Sequence, residues 1–284
     1  MEAGKHSYMA EATALLRAAH QVVDGDPKIL DDPLALSLLG SDTEQRIQED
    51  LERMKAKYLR GARAFAVMRS RFTEDALAEA VGSGVQQYVI LGAGLDTFAY
   101  RNPFPEDDLT VFEIDHPDTQ RWKLGRLEAA GVKPPANVCY LPVDFEKQSL
   151  TEGLAAGDFD FAAPAFFSWL GVTYYLNMEA VLETLRIVGD MAPSSQLVFD
   201  FVVDDSVLSE SEKVGMARVS SVVASYGEPW LSRFAPTGLQ GTLLDLGFST
   251  ARYVSNSETD KIYFASRSDG LFTHPALQLM LATI

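Results

Sequence analysis

The first part of the chain follows a helical pattern. Over residues 7–23, apolar residues recur at the three- and four-residue spacing of one helix face, and residues 42–81 are rich in helix formers. Between them, the segment ILDDPLALSLLG is typical of a turn that enters a short helix at Pro33. We therefore predict an N-terminal helical region over residues 1–84.

The pattern changes after residues 82–84. Short runs rich in β-branched and aromatic residues now alternate with helical segments: QYVILG, LTVFEID, NVCYLPVD, FAAPAFFSWLG and SQLVFDFVV. Such alternation is typical of βαβ units, in which a parallel sheet is covered by helices on both faces. We therefore predict an α/β fold whose sheet core spans residues 85–203.

The last third of the chain begins with a helical and loop pattern over residues 204–246. Two further apolar runs follow, GFSTARYV and KIYFASR, with a polar loop between them. We expect these runs, over residues 247–267, to pair antiparallel at one edge of the sheet. Since the sequence contains no repeat, low-complexity tract or linker, we predict a single domain over residues 1–284.

Composition narrows the possible partners and compartments. Forty acidic residues against 24 basic ones give a net charge of −16, which disfavours binding to nucleic acid. The single cysteine, Cys139, lies inside an apolar strand run and is expected in the core. The sequence has neither a signal-peptide pattern nor an apolar run of about 20 residues. We expect a cytoplasmic protein with no membrane partner, and the sequence leaves its oligomeric state open.

A glycine-containing turn, GAGLDT at residues 92–97, follows the first predicted strand. Ligands of open α/β sheets bind beyond the carboxyl ends of the strands. A dinucleotide fingerprint has a glycine where Thr97 stands, and Asp96 would repel a pyrophosphate. Gly92 and Gly94 still allow close approach of a ligand, and an acidic residue suits a positively charged one. S-adenosyl-L-methionine carries a sulfonium and an ammonium group but no phosphate, so it fits this turn.

Acidic residues also follow the next two predicted strands. Asp115 ends the second run 21 positions after Gly94, close to the roughly 20-residue spacing at which an acid receives ribose hydroxyls. Glu113 points the same way along a strand and is the alternative ribose ligand. After the third run, Asp144 is placed to accept from the adenine amino group and Phe145 to lie against the ring.

Together these motifs resemble the leucine carboxyl methyltransferase superfamily, in particular its bacterial branch of predicted S-adenosylmethionine-dependent methyltransferases. The similarity runs from about residue 10 to about residue 265 and rests on RAAHQVVDGDPKILDDPLAL, RSRFTEDALAEAV, YVILGAGLDTFAYR, FEIDHPDTQRWK, PVDFE and FFSWLGVTYYL. It implies a class I methyltransferase fold. This Rossmann-like fold has a mostly parallel seven-stranded sheet with helices on both faces and an antiparallel edge strand, and here extra N-terminal helices form part of a lid.

The resemblance also implies roles for the residues at the strand ends. Gly92 and Gly94 would approach the methionine moiety of the cofactor. Asp115 would bind the ribose, and Asp144 with Phe145 would bind the adenine.

The cofactor carboxylate would bind an arginine of the MRSRF segment, either Arg69 or Arg71, with Arg17 as a further candidate. Many relatives have a glutamate in the fourth-strand motif where this sequence has Leu170. Either a contact to the cofactor ammonium is missing here, or the task passes to Asp96 or to backbone carbonyls.

The acceptor determines whether a general base is required. A carboxylate is already ionised at neutral pH and needs none, whereas a phenol requires a base, for which His116, Tyr174 and Tyr175 are the candidates. We interpret His116 first as a structural turn residue. The acceptor pocket is expected between the N-terminal helices, Trp169, Tyr174 and residues 204–246.

We therefore predict transfer of a methyl group to a carboxylate of a small molecule. Phenol methylation and cofactor binding without turnover are the alternatives, and a dinucleotide-dependent oxidoreductase is disfavoured by the composition of the glycine turn. The histidines show no paired spacing for metal binding, so we expect no metal.

Overall fold

A seven-stranded sheet forms the centre of the computed structural model, which describes residues 7–144 and 147–284. The strand order is β3-β2-β1-β4-β5-β7-β6. Strands β1 to β5 pair in parallel, and β7 runs antiparallel to both β5 and β6. The strands are β1 (Gln87–Leu91), β2 (Thr110–Asp115), β3 (Val138–Pro142), β4 (Phe166–Trp169), β5 (Gln196–Val202), β6 (Thr250–Val254) and β7 (Leu277–Thr283).

Helices precede, connect and follow these strands. The α-helices are α1 (Tyr8–Val23), α2 (Leu34–Leu39), α3 (Thr43–Glu49), α4 (Leu51–Met54), α5 (Lys57–Gly82), α6 (Phe98–Arg101), α7 (Pro117–Ala129), α8 (Leu150–Ala155), α9 (Met178–Gly189), α10 (Glu210–Ser225), α11 (Pro236–Asp245) and α12 (Asn256–Thr259). Short 3-10 helices cover Thr173–Tyr175 and Asp205–Val207, and one π-helical turn covers Asp260–Phe264.

Alternate side chains of the central strand β1 point into two separate cores. Val89 and Leu91 pack with the apolar faces of α8, α9 and α11, whereas Tyr88 and Ile90 pack with α5 on the other side of the sheet. This arrangement follows from the two-residue period of a strand. The mostly parallel sheet with helices on both faces and an antiparallel edge, as predicted from the sequence, is confirmed.

The prediction of the final strand pair was wrong in its second member. Strand β6 lies within the predicted run at 247–254, but residues 261–264 continue the helical segment begun by α12. Ser255 starts that segment, because its side chain accepts a hydrogen bond from the Glu258 amide. The true partner of β6 is β7, which the sequence analysis missed.

Helix α1 lies directly over the glycine turn that follows β1. A Cβ atom added at Gly94 would stand 3.2 Å from Cβ of Ala10. The start of α1 is tied to the segment after α10, because Glu228 accepts a hydrogen bond from the Tyr8 amide at 2.9 Å. The rings of Tyr8 and Tyr226 also stack, with 4.1 Å between their centroids. We call these contacts of Glu228 and Tyr226 with the start of α1 the α1 clasp.

Candidate active site

The glycine turn at the carboxyl end of β1 has a backbone that glycine adopts most easily. Gly92 has φ of 69° and Gly94 has φ of 48°, both in the left-handed region. A Cβ at Gly92 would lie 2.5 Å from a methyl carbon of Val172, so the turn is also too close to its neighbour for a larger residue. The amides of Gly92 and Ala93 donate to the Ile114 carbonyl at 2.9 and 3.1 Å, which fixes the turn against β2.

Asp115, at the carboxyl end of β2, joins that strand to the turn. Its Oδ2 accepts from the Gly94 amide at 2.6 Å and its Oδ1 from the His116 amide at 2.7 Å. Burial raises the pKa of the Asp115 carboxyl, and these two hydrogen bonds oppose the rise. Because a carboxylate has about four acceptor positions, Asp115 can accept further hydrogen bonds from a ligand.

Glu113, the alternative ribose ligand, lies deeper in the fold. Its Oε2 is 2.6 Å from Nζ of Lys123 on α7, and both side chains are almost fully buried. Burial raises the pKa of Glu113 to about 6, against the opposing charge of Lys123. This carboxylate therefore holds α7 against β2, whereas Asp115 stands at the strand end.

The other predicted acidic ligands have local partners. Asp96 accepts from the Phe98 amide at 2.8 Å and thereby stabilises the start of α6. Asp144 follows β3 and lies 2.6 Å from Nζ of Lys147. Phe145 lies outside the described residues.

The two arginines of the MRSRF segment occupy different environments. Arg69 is buried, and its Nη1 lies 2.5 Å from Oδ2 of Asp200 and 3.3 Å from the hydroxyl of Tyr174. Arg71 is half-exposed, and its Nε lies 2.8 Å from Asp75. It faces a cavity of about 440 Å³ whose lining also includes Tyr263.

Arg69 and Asp200 meet beside Gly171, two residues after the end of β4. The Gly171 amide donates to Oδ1 of Asp200 at 2.7 Å. A Cβ at Gly171 would lie 2.8 Å from Nη2 of Arg69, so the absence of a side chain at this position leaves room for the guanidinium. Burial lowers the pKa of Arg69, but the charge of Asp200 more than offsets this, and the pKa lies above its usual value.

Arg17 on α1 reaches the glycine turn from the other side. Its Nη2 donates to the Leu95 carbonyl at 2.5 Å and its Nε to Asp32 at 2.8 Å. These contacts hold α1 on the turn.

Aromatic residues gather at the carboxyl end of β4. The ring of Tyr174 is 4.7 Å from that of Tyr175 and 5.7 Å from that of Trp230. Burial raises the pKa of both tyrosines above their usual value. Trp169 is buried in the core against Phe199, with 6.5 Å between the ring centroids.

The remaining predicted residues make contacts within the protein. His116 begins α7, and its Nδ1 accepts from the Asp118 amide at 3.2 Å. A neutral imidazole with an accepting Nδ1 carries its proton on Nε2. Leu170 packs at the edge of the core on the α5 side of the sheet. Cys139 packs against the opposite core, and burial raises the pKa of its thiol.

Over residues 7–144 and 147–284, no group of three or more potential ligands is arranged to hold a metal ion. Within the same ranges, no helix has both the length and the apolar character needed to cross a membrane.

Comparisons with known proteins identify the family of the chain. The model of the leucine carboxyl methyltransferase family matches residues 10–189. The predicted S-adenosylmethionine-dependent methyltransferase YktD of Bacillus subtilis is 28% identical over 293 residues, covering 95% of each chain. A predicted enzyme of the same description from Mycobacterium avium is 33% identical over 208 residues, covering 70% of this chain and 68% of the relative.

Solved structures share the fold. A predicted methyltransferase from Thermobifida fusca aligns with a TM-score of 0.58 at 16% identity, covering 99% of this chain and 96% of the other. The carbon methyltransferase CurJ aligns with a TM-score of 0.54 at 15% identity, covering 97% of this chain and 66% of the other.

The fold is therefore that of the class I S-adenosylmethionine-dependent methyltransferases. The chain belongs to the leucine carboxyl methyltransferase family, as the sequence motifs indicated, and it is an S-adenosylmethionine-dependent methyltransferase.

Proposed function

We propose that this methyltransferase transfers the methyl group to a carboxylate oxygen of a small acidic molecule. The observation that carries the proposal is the environment of the three candidate bases in the protein. His116 uses its accepting nitrogen to begin α7, and burial raises the pKa of both Tyr174 and Tyr175. Tyr174 and Tyr175 are therefore poorly suited to remove a proton at neutral pH, and Nδ1 of His116 is already engaged. An ionised carboxylate requires no such step.

The residues at the strand ends fit S-adenosylmethionine. The turn has no side chain of its own at Gly92 and Gly94, where Val172 and Ala10 pack against it. The carboxylates next to it, Asp96 and Asp115, suit a cationic ligand better than a pyrophosphate. Asp115 would accept from the ribose hydroxyls with its remaining acceptor positions. Asp144, after β3, would accept from the adenine amino group. When bound, the cofactor supplies an electrophilic methyl group on a sulfonium.

Arg69 is the better of the two arginines for the cofactor carboxylate. Its guanidinium lies at the carboxyl end of β4, beside Gly171, whereas Arg71 is half-exposed and borders the cavity that Tyr263 also lines. Arg17 is already engaged with the Leu95 carbonyl, so its contribution would be to hold the turn.

The protein would act on the acceptor mainly by position. Helix α1 lies over the glycine turn, and the α1 clasp joins it to the segment after α10. Tyr174, Tyr175 and Trp230 would form an aromatic wall next to this cover, which excludes water and limits the directions from which an acceptor can approach. The net charge of −16 disfavours tRNA as the acceptor.

The pH dependence of single-turnover transfer tests the proposal. We would screen a panel of small carboxylic acids and phenols and follow any acceptor found between about pH 6 and 8, after checking that cofactor binding is constant over that range. A carboxylate acceptor should give a flat profile. A rate that rises about tenfold per pH unit, or that falls about a hundredfold in His116→Gln, would instead indicate base-assisted methylation of a phenol. Tight cofactor binding with no transfer to any member of the panel would favour a binding protein.

A further inference from the structure

Asp200 is a fully buried carboxylate in the middle of β5, and the sequence analysis assigned it no role. Both of its oxygens are used: Oδ2 lies 2.5 Å from Nη1 of Arg69, and Oδ1 accepts from the Gly171 amide at 2.7 Å. A buried charge is tolerated only when it is paired and hydrogen-bonded, and removing one partner is strongly destabilising. Asp200 therefore determines where the guanidinium of Arg69 and the Gly171 amide lie.

We propose that Asp200 is a positioning residue for the amino-acid end of the cofactor, and this inference rests on the cofactor site proposed above. Arg69 has five N–H donors in a rigid plane, so fixing Nη1 on Asp200 also fixes the direction of the other donors. Nη2 lies against Gly171, at the carboxyl end of β4. The donors of Arg69 that Asp200 and Tyr174 do not accept would then serve the cofactor carboxylate at this strand end.

Asp200 does not replace the acid that is absent at Leu170, because its charge is paired with Arg69 and both of its oxygens are engaged. Its proposed effect is therefore on the guanidinium alone. The hydroxyl of Tyr174, 3.3 Å from Nη1 of Arg69, supports the same orientation of the guanidinium.

The two ends of the cofactor are held by different residues, and this separation makes the proposal testable. The nucleoside end depends on Asp115 and Asp144, and the amino-acid end on Arg69 and Asp200. S-adenosylhomocysteine carries both ends, whereas 5′-methylthioadenosine carries only the nucleoside. A residue that positions Arg69 affects the first ligand and not the second, whereas a general loss of structure affects both.

The experiment is calorimetric titration of both ligands into the full-length protein and into Asp200→Asn. We expect the Kd of S-adenosylhomocysteine to rise about tenfold or more, the usual effect of losing a hydrogen bond between charged groups, and the Kd of 5′-methylthioadenosine to change less than about twofold. Asp190→Asn, at an exposed position after α9, is the matched control and should change neither.

A second variant keeps the test decisive if Asp200→Asn folds poorly. Arg69→Gln with Asp200→Asn removes both charges and leaves no unpaired ion in the core. Because Asp200 acts through Arg69, this double variant should bind S-adenosylhomocysteine as weakly as Arg69→Gln alone.

Three results would overturn the proposal: unchanged affinity of Asp200→Asn for S-adenosylhomocysteine, an equal loss for both ligands, or additive losses in the double variant. If the parent protein binds neither ligand, the cofactor site itself is wrong. The choice between a carboxylate and a phenol acceptor is independent of the results for the Asp200 and Arg69 variants.

Discussion

Replacing Asp115 by alanine separates the binding role of this residue from its structural role. The side chain accepts from the amides of Gly94 and His116 at 2.6 and 2.7 Å. Hydrogen bonds to a charged group contribute about 1.5 to 3 kcal/mol each, so the free energy of unfolding should fall by about 3 kcal/mol or more. That loss alone would not weaken ligand binding at temperatures where the variant remains folded.

The effect of Asp115→Ala on cofactor binding has a separate cause. If Asp115 accepts from the ribose hydroxyls, its removal leaves these donors unpaired, at a cost of about 1 to 3 kcal/mol. The Kd of S-adenosylhomocysteine should then rise roughly 5- to 160-fold. We would measure it by calorimetry about 20 °C below the midpoint of thermal unfolding of the variant, with Asp107→Ala at an exposed loop position as the matched control.

Unchanged affinity of Asp115→Ala would refute the ribose assignment. An unchanged free energy of unfolding would refute the reasoning from the two amide hydrogen bonds. The two measurements are independent, because thermal unfolding is followed without ligand.

Three further predictions concern other parts of the site. Arg69→Lys should raise the Kd of S-adenosylhomocysteine about tenfold, since lysine lacks the planar fork, whereas Arg71→Lys should leave it unchanged; equal affinity of both variants and the parent in calorimetry would exclude Arg69 as the anchor. Burial raises the pKa of Glu113 to about 6, so between about pH 4.5 and 6 the folded protein retains a proton that the unfolded chain releases. The contribution of Glu113 to the free energy of unfolding therefore decreases as pH rises through this range, by about 2 kcal/mol at most. Denaturant unfolding across that range should therefore show a less negative slope with pH for Glu113→Gln than for the parent, and equal slopes would contradict the assignment. Glu228→Ala should speed amide hydrogen exchange at Tyr8, because the Tyr8 amide donates a hydrogen bond to the Glu228 carboxylate. Unchanged exchange at Tyr8 would show that the α1 clasp does not hold the start of the helix.

Much of the fold could be predicted because strand and helix periods are local properties. The parallel core followed from apolar runs that alternate with helical segments. The final strand pair could not be predicted correctly, because the apolar spacing of KIYFASR suits both a strand and a helix. The serine at position 255 followed by a glutamate at 258 is a helix-start signal that would have decided between them.

From the sequence, candidate site residues could be predicted mainly where they end or follow a predicted strand. Asp115 and Asp144 became candidates because they end or follow predicted strands. Arg69 and Arg71 could not be separated, because two positions along a helix differ by about 200° and the sequence does not show which face is buried. The sequence does not single out Asp200, because its contacts with Arg69 and Gly171 depend on β5 lying beside β4, a tertiary contact that no local pattern reveals.

The position of β7 has a consequence for the order in which the protein can assemble. Strand β6 precedes β7 in the chain but pairs only with β7 among the described strands, while β7 pairs with β5 on its other side. During synthesis, residues 250–254 must therefore wait for residues 277–283 before they can join the sheet. Until then, β5 presents a seven-residue edge with unpaired backbone groups, and five of these residues are apolar. Such an edge is a template for association with other chains. A chain that ends before Leu277 would retain the glycine turn and Asp115 yet keep this edge open, so it should aggregate even though every residue proposed to hold the cofactor is present.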